Sequence, residues 1–574
     1  MLKLNWIEAL GDWNPQLLRE INGRLKPRNL ILAGAISLLG QFILFLFFLG
    51  RIPYATIDTA SSTSGFGFPN NDPYCTGSYV YGNDRTCLVD GLGNLVVDWQ
   101  KWSLDLFLAL SVIGIFGLLV AGTYLLIDNL AYEEHKGTLN FIRLSPRSPQ
   151  NILWGKLLGV PILLYIVALL AVPLHLGAGF AAHIPLIGIL SFYGVLATSC
   201  VFFYSLSLLF GLVSAGVLNG FQALLGSGAV FLFILVGISK PVAGDHFDWI
   251  NIFSPVIIVQ YLIAATGIEP TISFSDLEIQ KLQWFNLPAG IGILGVSSIL
   301  ILNYSVWTYW SWQALQRRFA SPTKTIFNKR QSYLLVACFE IMTLGFAVHG
   351  EKSGLIYHFL ILLAYNFVLF FGLIIALTPQ RQAVIDWARY RNQKYSGRKG
   401  LLNSSLIRDL VWGEKSPAIV AIALNLAITA IVLVSWILIA LDSGNKLSAL
   451  MALVLSLSFI LVCTAIAQLV TFMRTQKQGL WITGILGVVI ILPPLIFSLL
   501  FGNPANGLTL WLFTVFAFAA IEKAEVFSIF MALLGQLTIL TLCSVQITRQ
   551  LKKAGVSNSI DLFASQPRIK PISD

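Results

Sequence analysis

The chain has 574 residues, of which 56% are hydrophobic and only 11% charged, against about 25% charge in an average soluble domain. So few charges cannot cover a water-facing surface, and the apolar content excludes disorder. The net charge of +10 is scattered over loop ends, which points to membrane topology and anionic lipid and away from nucleic acid.

Residues 1–28 place Trp6, Leu10, Trp13, Leu17, Ile21 and Leu25 at three- and four-residue steps, one face of a helix. Arg19, Arg24, Lys26 and Arg28 add positive charge. A basic amphipathic helix with Trp on its apolar side lies in the plane of a membrane interface. Pro15 fits near its start and Pro27 near its end. Such a helix either anchors the chain or also touches a cytosolic partner. No cleavable signal peptide follows, so the first apolar run reads as a signal anchor.

Runs long enough to cross a hydrocarbon core, about 20 residues each, occupy 29–49, 104–127, 154–174, 185–209, 216–238, 287–310, 333–349, 354–377, 417–441, 447–471, 479–501 and 527–547. The expected fold is all-α and polytopic, with about 12 transmembrane helices. The stretch 185–238 must fold back, with its turn between Gly211 and Gly220. Segments 251–267 and 508–521 are too short for full spans and suit re-entrant pieces before the last span of each half.

The organisation read from these runs is a first transmembrane half at 29–310, a basic linker at 311–332, a second half at 333–547 and a tail at 548–574. A six-plus-six pseudo-repeat of the kind found in transporters is one alignment of the halves. A rival pairs Asn14-Pro15-Gln16-Leu17-Leu18-Arg19-Glu20 with Ser405-Leu406-Ile407-Arg408-Asp409-Leu410. That would make spans seven and eight an inserted hairpin.

With the amino terminus in the cytosol, the inside segments hold 29 of the 37 Lys and Arg residues. By the positive-inside rule both termini are cytosolic, in the plasma (inner) membrane. The loop 50–103 then lies outside and carries Cys75 and Cys87. The pair reads as a disulfide in an oxidising compartment, or as two free thiols. Cys200, Cys338, Cys463 and Cys543 fall in spans, where Cys behaves as a small apolar residue.

No phosphate-binding glycine loop, catalytic serine elbow or zinc-helix motif occurs, and the six histidines show no ligand spacing. The expectation is a transport subunit with no cofactor, no metal and no catalytic site of its own. The loop 128–153 is the informative one. It runs Tyr132-Glu133-Glu134-His135-Lys136-Gly137-Thr138-Leu139, then Asn140-Phe141-Ile142-Arg143-Leu144-Ser145-Pro146 and, at the next span, Trp154-Gly155-Lys156. Leu139, Phe141 and Ile142 form a short apolar face beside charges, and Gly137 permits a backbone break.

This loop resembles the signature of the type-two ABC exporter permeases, in which a Glu-rich stretch meets Lys-Gly-Thr-Leu, a Ser/Thr-Pro turn and a Gly-Lys at the third span. Asn14-Pro15 and Arg19-Glu20 also resemble that class. The signature covers about 25 residues, and the second half, including the basic loop 378–416, carries no second copy. The resemblance implies a permease subunit of an exporter driven by a separate ABC-type ATP-binding subunit. Glu133, Glu134, Lys136, Gly137, Thr138, Leu139, Phe141, Ile142, Arg143, Ser145, Pro146, Gly155 and Lys156 would then form its coupling element. The pathway would be completed by a second permease copy or by the chain's own second half.

Glu340, in Cys338-Phe339-Glu340-Ile341-Met342, is an acid inside a span, where a charge costs ~2.5–3.5 kcal/mol. It is either a proton or cation site or a neutral hydrogen-bonded group, with Gln468, Asn366 and Asn425 as candidate partners. An ion-coupled transporter using Glu340 is therefore the second reading, and a membrane scaffold without cargo the third.

Overall fold

The computed structural model describes residues 9–52, 68–70, 73–76, 79–81, 84–88, 95–214, 220–239, 247–271, 279–347, 355–395, 404–475, 478–501, 508–521 and 524–555. The protein is helical and multi-pass, with ten helices long and apolar enough to cross a membrane among the described residues. Two of the twelve expected spans fall short of that measure. The helix Gln222–Ile238 is shorter, and Lys329–Ala347 opens with Lys329-Arg330 and contains Glu340. To this all-α body the 50–103 loop adds three short strands, Phe68–Asn70 (β1), Tyr79–Tyr81 (β2) and Asp84–Cys87 (β3). They form an antiparallel sheet of order β1-β3-β2. The chain divides into two compact units, 1–320 and 321–574.

In the first unit, helix α1 (Pro15–Arg24) starts where Asn14 caps it, accepting from the Leu17 N–H. Pro15 occupies its first turn, where a missing N–H costs nothing. Pro27 plays the same part in α2 (Pro27–Leu49); it begins the span rather than merely following α1. Helix α3 (Trp99–His135) is one continuous rod with a π-turn at Gly117–Ala121. The short α4 (Thr138–Arg143) and α5 (Pro149–Gly159) follow.

The third span, α6 (Ile162–Ala181), begins eight residues later than expected, because the helical ladder breaks around Pro161. Trp154, Gly155 and Lys156 therefore belong to α5. Next come α7 (Leu186–Ser214), α8 (Gln222–Ser239), the eleven-residue α9 (Val256–Thr266) and α10 (Ile293–Ala320). The fold-back expected before Gly220 follows Ser214, and Gly220 takes a positive φ of 95°. Helices α7 and α10 pack along each other; α3 lies against α6, α7 and α8, and α2 against α6.

The second unit contains α11 (Lys329–Ala347), α12 (Leu355–Leu377), α13 (Arg381–Tyr395), α14 (Ser404–Trp412), α15 (Ile419–Ala440), α16 (Ser443–Val470), α17 (Gln478–Phe501) and α18 (Val526–Gly555). Its packing runs α16 on α18, α15 on α16, α11 on α15 and α12 on α16. Segment 508–521 is two four-residue helices, Leu508–Trp511 and Phe518–Ile521. A core cluster including Phe359, Leu433, Trp436, Leu453 and Leu512 joins α12, α15 and α16 to that segment.

Candidate functional site

Chain entry and the α3–α5 connection meet at one end of the first unit. Asn14 Oδ1 accepts from the Leu17 N–H, and its amide donates to the Asn151 carbonyl at 2.7 Å. The α1 cap and the first turn of α5 are thus held by one side chain. Ser148 caps α5 in turn, its hydroxyl accepting from the Asn151 N–H. Gly155 and Gly159, one turn apart, form the face on which α1 lies. A methyl on Gly155 would sit 2.8 Å from Asn14 Oδ1 and Leu17 N, and one on Gly159 2.5 Å from Glu20 Cβ.

That close approach delivers Glu20 to Lys156. Lys156 is fully buried, an expensive place for an ammonium unless it is paired and hydrogen-bonded. Its Nζ lies 2.6 Å from Glu133 Oε2 and 3.6 Å from Glu20 Oε1, and donates to Asn129 Oδ1 at 3.0 Å. Arg19 approaches Glu133 at 3.8 Å and Arg24 approaches Glu20 at 3.4 Å. Two carboxylates and three cations from α1, α3 and α5 thus form one network. Of the residues expected to couple, Glu133 and Lys156 are its centre. Glu20 and Asn129 complete it; Glu20 stood in the quoted amino-terminal pattern, whereas nothing in the sequence singled out Asn129.

Beyond Glu133 the chain turns through Gly137 at φ +71°, a conformation that costs glycine little. Thr138 Oγ1 donates back to the Glu133 carbonyl at 3.1 Å. Lys136 leaves the network; its ammonium sits over the Tyr132 ring, 4.2 Å from the centroid, and donates to the Tyr132 hydroxyl. Arg143 pairs with Glu134 at 3.6 Å, donates to Asn140 and lies over the Phe319 ring. The Ser145 N–H closes the turn on the Ile142 carbonyl, and Pro146 is exposed.

The apolar face of α4 divides. Leu139 and Ile142 are buried within the unit, so neither is free to anchor a partner, contrary to what the face of the loop implied. Phe141 is 80% and Leu144 85% exposed. Leu144 is the C-cap residue just beyond α4, outside the apolar face that Leu139, Phe141 and Ile142 define. A groove of about 230 Å³ runs beside Phe141 between α1 and α4, bordered by Arg19, Ser145 and Arg147.

The corresponding region of the second unit is built differently. Arg391 on α13 pairs with Asp409 on α14 at 2.8 Å. Lys329, which drew no attention in the sequence, is buried and donates to the Leu410 carbonyl (2.7 Å), Ser416 Oγ (2.7 Å) and the Pro417 carbonyl (3.2 Å). Burial pushes its amine down to about 7, with the Asp409 carboxylate opposing the shift.

Glu340 is fully buried on α11. Thr429 on α15 donates to its Oε1 at 2.6 Å and lies 3.4 Å from Asn366 Oδ1 on α12. Among the described residues no ion pair reaches it. Of the three expected partners only Asn366 stands nearby; Asn425 donates to Ser332, and Gln468 to Thr378. Cys75 is disulfide-bonded, while the Cys87 side chain lies outside the described residues. Cys200, Cys338, Cys463 and Cys543 are free. Among the described residues no group of three or more His, Cys, Asp or Glu side chains is placed to hold a metal ion.

No protein-family model matches the chain, and no curated protein or solved structure matches it.

Proposed function

We propose that the protein is the membrane-spanning subunit of an ABC-type exporter, energised by a separate ATP-binding subunit that docks on the end of the first unit where α1, α4 and α5 meet. One observation carries the reading. Lys156, Glu133 and Glu20 lock α1, the foot of α3 and α5 into one body, and that body presents Phe141 and Leu144 outward. A buried ionic network with one partner per helix resists shear between them, because separating any pair leaves a charge unpaired in a poor solvent. A push on α4 is therefore passed to α5 and the head of α6 rather than absorbed in a loop. Exposed Phe141 and Leu144 are apolar anchors of the size that protein interfaces bury. The two stretches that resemble type-two permeases are the ones that meet here, and the count of Lys and Arg puts this end in the cytosol.

The second unit supplies the other half of the pathway in this reading. Part of its packing recurs in the first unit, although its close α15–α16 contact has only a slight counterpart in α6–α7. The pairs α16–α18, α12–α16 and α11–α15 match α7–α10, α3–α7 and α2–α6, and a short helical segment precedes the last span in each unit. On that alignment α14, which leads into α15, corresponds to α5 and not to α1, in favour of six-plus-six over an inserted hairpin. Both termini lie in the cytosol, and the membrane is the plasma (inner) membrane.

The test is co-purification with the ABC-type ATPase encoded nearest to this gene. Wild type is expected to form a complex whose ATPase rate differs from that of the free subunit. Phe141→Asp with Leu144→Asp is expected to lose the complex while keeping its unfolding midpoint. Full association of that folded double variant would overturn docking at α4.

A further inference from the structure

A cavity of about 410 Å³ runs between α3, α6 and α7 in the first unit. Its walls carry no Asp, Glu, Lys or Arg. Leu157, Phe192 and Tyr204 form a buried floor, while Leu169, 70% exposed, stands at the open side. Apolar cavities stay dry, and a lateral opening in a membrane span faces hydrocarbon rather than water.

It runs along α6 and α7. One end is the level of His175 and Tyr193; the other is the level of Leu118, Tyr165, Tyr204 and Leu157. Ten residues of α6 and eleven of α7 separate the two levels, roughly 16 Å at 1.5 Å per residue. The walls along that length are apolar, which suits the hydrocarbon part of a ligand and no charged group. The lower wall is held open by specific contacts. Tyr204 donates to the Leu118 carbonyl in the π-turn at 2.7 Å, and Gly122 makes room for its ring, since a methyl there would overlap the hydroxyl.

The His175 end is polar. Ser111 donates its one hydroxyl hydrogen to the Phe107 carbonyl at 2.8 Å, so its oxygen must accept from His175 Nε2 at 2.8 Å. His175 Nδ1 then accepts from the Tyr193 hydroxyl at 2.8 Å. The ring is fixed by stacking on Phe107, 4.2 Å between centroids. With its hydrogen committed to His175, Tyr193 oxygen has only lone pairs left, an acceptor for an uncharged donor on a ligand.

We infer that this cavity binds the hydrocarbon part of a membrane amphiphile, with a neutral hydrogen-bond donor such as a hydroxyl or amide seated at Tyr193. As a statement about cargo the inference rests on the exporter reading; as a statement about binding it does not.

The probe is a long-chain fatty alcohol bearing a mid-chain diazirine, added to the full-length protein in lipid nanodiscs, with labelled residues located by mass spectrometry. Labelling is expected on 165–175 and 192–204, and unlabelled alcohol at about nine times its dissociation constant is expected to reduce it about tenfold. Ala168→Phe, which fills the bore, is expected to remove it. Tyr193→Phe is expected to keep chain labelling but lose the preference for the alcohol over its methyl ether. A phosphatidylcholine with the same diazirine separates the sources: labelling by both means that bilayer lipid tails also enter, and labelling by the alcohol alone means that only a single-chain amphiphile fits. Labelling spread evenly over all spans, or labelling insensitive to competition in wild type, would overturn the inference. None of these readouts uses the ATPase, so a failed ATPase complex would overturn the exporter reading and leave this one standing.

Discussion

Lys156 shows how much one side chain decides. Lys156→Met would leave Glu20 and Glu133 facing a thioether, and breaking a buried pair from one side costs about 3–5 kcal/mol. A fall in the unfolding midpoint is expected, with partial recovery on adding Glu133→Gln, which removes the stranded charge. A double-mutant cycle reads the coupling, and strictly additive shifts would mean that the pair contributes nothing. Lys329 makes a second prediction, from the other unit. Its amine is pushed down from 10.5 to about 7, so the unfolded chain holds the proton more tightly than the folded one. Stability from this group is therefore lowest at and below pH 7 and grows as pH rises toward 10.5. Thermal unfolding of wild type should steepen upward over that window relative to Lys329→Met, and identical slopes would count against the shift. Glu340→Gln is expected to leave transport in vesicles intact, since an amide can accept from Thr429 as the acid does. Lost transport in a folded variant, together with a lost pH dependence, would favour ion coupling.

Among the elements, the α1–α5 contact is the one that glycine makes possible. Gly159→Leu would drive a side chain into Glu20 Cβ, 2.5 Å from the position of its own Cβ, and overpacking of this kind costs about 1–3 kcal/mol. The expected outcome is faster tryptic cleavage at Arg19 and Arg24 as α1 lifts away. Gly177→Leu, at a position with nothing within 4 Å, is the matched control and should cleave as wild type does. Equal cleavage of the two variants would mean that α1 does not depend on that face. Proline placement and the later part of the amphipathic period, Leu17, Ile21 and Leu25, made α1 legible in the sequence, whereas Leu10 and Trp13, expected on the same helix, precede its Asn14 cap. The docking side of α1 was not legible: Leu17 and Glu20 are buried while Arg19 is exposed, a choice made by α5 and not by α1.

For the whole molecule, the distribution of charge makes a topological prediction. With a membrane-impermeant thiol reagent, Leu144→Cys should label only in inverted vesicles, and Cys75 only from the outer face after reduction. Ready labelling of Cys75 without reductant would remove the disulfide, worth about 3 kcal/mol in the chain-entropy account. Labelling of the Leu144→Cys variant at that position from outside would invert the topology. The positions of nearly all membrane helices, the short segments before the last spans and the break at Gly137 were determined by the sequence alone. Each depends on hydropathy, length or backbone freedom, which act over about 20 neighbouring residues. The later start of the third span turned on a local break at Pro161 that hydropathy does not register. Tertiary structure alone decided the rest. Asn14 meets Asn151 across 137 residues, Lys156 finds its carboxylates on two other helices, and Leu139 turns inward while Leu144 does not. Pairings of that kind depend on which helix faces which, and a hydropathy pattern is indifferent to that, because lipid and a neighbouring apolar helix are nearly the same solvent to a leucine.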